Sequence, residues 1–187
     1  PINVVYGFCL LLFNAIEKLN PTHVCICFDH SKKTFRNKIY SEYKAHRPPA
    51  PDEFKSQIPL LKNLLSKIDI TIIEKEGYEA DDLLGTIAKK SNSEKINSFI
   101  LTGDQDSFQL ISKENVIIYT KKGLSEYDII TPKKLKKKYQ LNADQITDYK
   151  ALKGDSSDNI PGVKGIGEKT ALSLLNSYST LENIYLH

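Results

Sequence analysis

The chain has 187 residues, 40% hydrophobic and 9% aromatic, with a formal net charge of +3 and a pI near 8.6. That length holds one large domain, or one domain with a small appendage, and the mildly basic balance permits a polyanionic partner without demanding one. No apolar run approaches the ~20 residues of a membrane-spanning helix, since "FCLLLFNAI" stops at Glu17, and this argues against membrane association.

No cleavable targeting segment is present, methionine is absent and the chain opens at Pro1, as expected of a piece of a longer protein. "NVVYGFCLLLFNAIEKL" has helical apolar spacing and ends before Asn20-Pro21. "HVCICFD" reads as a short buried strand ending in Asp29. A metal cluster of His23, Cys25, Cys27 and His30 is the competing reading. Side chains two apart on a strand stand about 6.8 Å from each other, too wide for one zinc with ~2.3 Å bonds to sulfur. Core packing in a reducing, intracellular compartment is therefore expected.

Residues 30–51 change character, with Lys32, Lys33, Arg36, Lys38, Lys44 and Arg47 interleaved with Phe35, Tyr40 and Tyr43. Helix is expected again over "EFKSQIPLLKNLLSKI", then a strand at "DITIIE" and an acidic helix over 79–90. "INSFILTGDQD" is a strand running into a glycine turn, and "NVIIYT" and "YDIIT" are strands around a Lys-Lys-Gly turn. From Thr131 onward the pattern is helical, and "KKLKKKY" reads as a solvated basic face. Alternating strands and helices predict an α/β fold, a mostly parallel central sheet flanked by helices. The division expected is an α/β core over 1–130 and a helical region over 131–187.

In such sheets the site lies beyond the carboxyl ends of the strands. Asp29, Asp104 and Asp106 follow strand ends, and Glu79 lies shortly after "ITIIE". Glu79 and Asp82 share a helical face, with Asp81 about 100° away on its flank. Carboxylates this dense resist joint ionisation and need a positive charge: lysine, arginine or metal. Hard divalent cations suit an all-oxygen set, so Mg²⁺ or Mn²⁺ is the favoured answer; helix capping and a polar turn are the plain alternatives.

"GDSSDNIPGVKGIGEKTA" adds Asp155 and Asp158, then sets Gly162, Gly165 and Gly167 between two helices, with Ile160, Val163 and Ile166 anchoring the turn. This is a helix–hairpin–helix pattern over about 150–176. Its glycines would let backbone N–H groups approach a phosphate, helped by Lys164, Lys169 and the following helix N-terminus. A nucleotide P-loop does not fit the spacing; a purely structural turn between helices does.

"FRNKIYSEYKAHRPPAPDEF", "GYEADDLLGTIAKK", "LTGDQDSFQL" and "YKALKGDSSDNIPGVKGIGEKTA" resemble, in order, the landmarks of the 5′-nuclease domain of bacterial-type DNA polymerase I, in the flap endonuclease superfamily. The resemblance implies a two-metal phosphodiesterase acting on 5′-flap or 5′-ended duplex DNA. It makes Asp29, Glu79, Asp81, Asp82, Asp104, Asp106, Asp155 and Asp158 metal-site acids. Arg36, Tyr43, Lys44 and Arg47 fall in its helical arch, about 30–51, and residues 160–169, with Gly162, Val163, Lys164, Gly165, Ile166, Gly167 and Lys169, in its duplex-gripping hairpin, where a K⁺ ion often sits. The family's opening strand, with a further Asp-Gly and a Tyr-Arg helix, is expected ahead of Pro1, and its last helices beyond His187.

In the mechanism this implies, one Mg²⁺ activates water, the second stabilises the leaving 3′ oxygen, and Lys44 and Arg47 offset charge on the phosphoryl oxygens. Both arginines of the chain lie within 30–51, where a guanidinium fork suits phosphate. A cytoplasmic, nucleoid-associated location is expected, or an organelle in a eukaryote, with a linked polymerase domain. The alternatives are a DNA-binding domain without turnover and a small metal-dependent ribonuclease.

Overall fold

The computed structural model describes residues 2–30, 33–120 and 127–187. Lys32 and the Lys-Lys-Gly turn lie outside them. Helix α1 (Asn3–Leu19) stops at Asn20, whose left-handed φ of 44° lets its N–H close on the Ile16 carbonyl. Strand β1 (Cys25–Cys27) pairs in parallel with β2 (Thr71–Ile73), and α2 (Phe35–Ile39), α3 (Asp52–Lys55) and α4 (Gln57–Lys67) form the crossover between them. The helix expected over 53–68 is broken at Ser56, the residue between α3 and α4.

Helix α5 (Ala80–Ser93) leads into β3 (Ser98–Thr102), which runs parallel to β4 (Asn115–Thr120); β5 (Tyr127–Ile130) returns antiparallel. The expected mostly parallel sheet is thus present as two hydrogen-bonded sheets, ordered β1-β2 and β3-β4-β5. Helical crossovers enforce the parallel pairs, while the short connection from β4 to β5 permits only an antiparallel one. Helices α6 (Pro132–Tyr139), α7 (Ile146–Lys153), α8 (Glu168–Tyr178) and α9 (Leu181–Tyr185) complete the chain.

Two apolar interiors hold this together. Leu12 of α1 meets Leu61 and Leu65 of α4, with Ile26 and Ile72 of the first sheet against them. The larger core runs from Ala88, Ile100 and Ile117 through Phe108 to Leu135, Leu152 and Leu175. The second sheet and the C-terminal helices therefore share one interior. Phe108 sits edge-on to Tyr119 and Tyr139, with ring centroids 5.4 and 5.1 Å away.

The cysteines are free thiols, Cys25 exposed and Cys9 and Cys27 half-buried. On α6, Leu135 is buried while Lys134 and Lys138 each reach Asp128 at 3.1 Å, as a solvated basic face would.

Candidate metal centre and its basic collar

The acidic helix begins with its carboxylates satisfying backbone. Glu79 is the N-cap of α5, its N–H donates to Asp82 Oδ2 at 2.9 Å, and the Ala80 N–H donates to Asp29 Oδ1 at 2.8 Å. Capping and clustering are thus the same arrangement here. Asp81 has no such duty. Burial, then repulsion from Asp104 and Glu79, pushes its carboxyl up to about 6, against the pull of Lys44.

Asp104 follows β3 and accepts the Asp106 N–H at 2.8 Å, opening the 3₁₀ turn Gln105–Leu110. That turn carries Asp106 to the loop after α7. Gly154, at φ 83°, ends α7, and reciprocal 2.8 Å hydrogen bonds between Asp155 and Ile160 close the loop. Asp106, Asp155 and Asp158 each place a carboxylate oxygen within 4.8 Å of the others, a spacing that could hold a metal ion. Burial raises the Asp106 carboxyl. Burial also works on Asp155, but Lys150 and Ser157 outweigh it and hold that carboxyl down at about 2.

Sequence-distant elements join these acids. The Tyr43 hydroxyl lies 3.1 Å from both Glu79 Oε2 and Asp158 Oδ2, bridging the α5 group to the second group. Burial and those two carboxylates raise its pKa far above the usual phenol range. Tyr40 donates to the Asn159 carbonyl at 3.1 Å, and the Asn159 amide donates to the Glu42 carbonyl at 2.9 Å. Residues 40–47 are thereby docked onto the 155–159 loop.

Among the described residues, the countercharge to the acids includes a collar of four basic side chains. Arg36 makes a bidentate pair with Asp82, 2.8 Å on each arm, which holds that carboxyl below the usual range. Lys44 reaches Glu79 at 2.9 Å, Arg47 reaches Asp158 at 2.5 Å, and Lys150 reaches Asp106 and Asp155 at 2.6 and 2.5 Å. All eight acids singled out in the sequence therefore belong to one connected region, but Asp82 is turned to Arg36. The sequence reading missed Lys150, Ser157 and Asn159, and it named Tyr40 in the basic segment without giving it a site role. For Lys150 a signal existed: it lies four residues after buried Ile146, on the core-facing side of α7.

In the hairpin the glycines divide into two kinds. Gly162 has φ 67°, and a Cβ there would meet the Gly154 nitrogen at 2.4 Å, so it serves close backbone packing inside the protein. Gly165 has φ 85° with nothing within 4 Å of a Cβ, and Gly167 caps α8 in open space. Ile166 packs on the large core, while Val163 and Lys164 are exposed.

The chain matches known proteins over its whole length. The model of the 5′-3′ exonuclease N-terminal resolvase-like domain matches residues 1–140, and that of the 5′-3′ exonuclease C-terminal SAM fold matches residues 141–187. DNA polymerase I of Caldicellulosiruptor bescii is 45% identical over 187 residues, 99% of this chain and 22% of that protein. The chain spans about a fifth of the length of the curated relatives it matches. Among solved structures, T5 5′-exonuclease with bound divalent zinc superimposes with a TM-score of 0.82 at 20% identity, over 98% of this chain and 70% of that one. A T5 flap endonuclease in a pseudo-enzyme–product complex with DNA and metal ions gives 0.78 at 19% identity, over 98% and 70%. With both family domains matched end to end, the chain belongs to the 5′-3′ exonuclease family.

Proposed function

We propose that the protein is a structure-selective 5′→3′ exonuclease and flap endonuclease that hydrolyses DNA phosphodiester bonds with two divalent cations, Mg²⁺ or Mn²⁺. The observation that carries this is the meeting of Asp106, Asp155 and Asp158 within 4.8 Å, beside a second acidic group around Asp81. The donor set fits the ions: all ligands are hard oxygens, and a lysine ammonium already sits among them as a cationic stand-in. Asp29, Glu79, Asp81 and Asp104 would hold one ion, and Asp106, Asp155 and Asp158 the other. Bound cations there would supply Lewis acidity, making water a nucleophile at neutral pH and stabilising the leaving oxygen.

The remaining roles fall to the chain's own side chains. Asp82 orients Arg36, which with Tyr43 guides the 5′ end, while Lys44 and Arg47 oppose negative charge on the phosphoryl oxygens. In the helical region 131–187, the hairpin 160–169 would grip duplex backbone through the exposed residues Lys164 and Gly165, Lys169 and a K⁺ ion. The protein would work on nucleoid DNA in the cytoplasm, joined to a polymerase domain as in the relatives' names.

The test is cleavage of a 5′-flap DNA and an RNA of the same shape by the full-length protein, with Asp104→Ala in the same full-length protein alongside. We expect DNA cleavage by wild type, below about a tenth of that rate in the variant at saturating Mg²⁺, and duplex binding retained. Duplex binding with no cleavage by wild type would make this a DNA-binding domain, and cleavage confined to RNA would make it a ribonuclease.

A further inference from the structure

Lys150 is the collar residue that comes from outside the arch. It projects from the last turn of α7, and its Nζ sits 2.6 Å from Asp106 Oδ1 and 2.5 Å from Asp155 Oδ2. Those are two of the three carboxylates whose oxygens converge within 4.8 Å. The side chain is only 30% exposed. Burial opposes its charge, yet the two acids hold the ammonium well above the usual lysine range. Arg36, Lys44 and Arg47 hold other acids, Asp82, Glu79 and Asp158, so Lys150 is the basic side chain paired to Asp106 and Asp155 among the described residues.

We propose that Lys150 is the built-in counter-cation of this carboxylate cluster, holding Asp106 and Asp155 together without metal and displaced from them when a divalent cation enters. The inference rests on the metal reading above. An ammonium at ~2.5 Å and a hard cation at 2.0–2.6 Å compete for the same two carboxylates, and two like charges held that close repel one another. Coulomb attraction scales with charge, so a divalent ion can displace the ammonium where a monovalent one cannot. Two consequences follow. The lysine spares the metal-free protein the repulsion of bare carboxylates, and it weakens cation binding by the cost of its own displacement. Lys150 is thus a positioning residue that sets a cation threshold.

Mn²⁺ titration followed by electron paramagnetic resonance, on wild type and on Lys150→Gln, Lys150→Met and Lys150→Arg, tests this. The Gln variant keeps hydrogen-bond donors without charge, which maintains the test if the Met variant does not fold. The Gln and Met variants should bind Mn²⁺ at the Asp106–Asp155–Asp158 cluster at least about tenfold more tightly than wild type, with Arg close to wild type. Metal-free thermal melts should show the Gln variant less stable than wild type, and Mn²⁺ should raise its melting temperature by more. Equal or weaker Mn²⁺ binding in the Gln variant, or tighter binding in the Arg variant too, overturns the lysine's role while the metal reading stands. No Mn²⁺ binding by any of the four overturns the metal reading and the inference with it.

Discussion

Asp81 and Asp82 are neighbours with opposite electrostatics, and each makes a distinct prediction. The Asp81 carboxyl is raised to about 6 by burial and by Asp104 and Glu79. An acid whose folded pKa exceeds its unfolded value of about 3.9 binds more protons when folded, so stability falls as pH rises between the two values. Asp81→Asn should therefore gain on wild type by on the order of 1 kcal/mol between about pH 4 and pH 6 without metal, after discounting for solvent screening. Thermal melts over that window measure it, and a constant difference would contradict the clustering. Asp82 behaves in the contrary way, because Arg36 and the Glu79 N–H both stabilise its ionised form. Asp82→Ala should cost about 1–3 kcal/mol by urea titration, through the lost bidentate pair and the lost cap.

At the scale of elements, the hairpin separates two uses of glycine. Gly162→Ala puts a Cβ 2.4 Å from the Gly154 nitrogen and 2.5 Å from the Lys153 carbonyl carbon at φ 67°. Backbone atoms cannot swing aside, so the α7–hairpin contact must open, and we expect a loss above about 2 kcal/mol. Gly165→Ala meets nothing within 4 Å and carries only the left-handed backbone strain, about 1–2 kcal/mol. Denaturant unfolding orders the two variants; duplex affinity should fall in Gly165→Ala even where the fold is intact. The docking of residues 40–47 onto 155–159 is likewise an element-level feature, built from Tyr43, Arg47, Tyr40 and Asn159.

For the whole molecule, β3–β5 and α6–α8 share one interior, which predicts that they unfold together. Leu175 on α8 and Ile117 on β4 belong to one core, 1% and 0% exposed. Leu175→Ala should cost about 2–5 kcal/mol and reduce amide exchange protection in β4 as well as α8. Protection lost in α8 alone would show that the helical region unfolds by itself. The described residues contain no helix long and apolar enough to cross a membrane.

The sequence by itself determined the element types, because apolar period and turn residues are local: α1 stops at Asn20, and Asp104 starts a turn after β3. It also marked the acids, since strand ends and helix N-termini are where an α/β chain can present carboxylates. Tertiary structure decided their partners. Nothing local says that Arg36 takes Asp82, that one tyrosine hydroxyl spans Glu79 and Asp158, or that Lys150 turns to Asp106, 44 positions away in the chain. It also decided that Gly162 is packed and Gly165 is open, a difference set by whether α7 lies behind the backbone. Partner choice among like-charged groups depends on three-dimensional distance and burial, which a one-dimensional spacing does not encode.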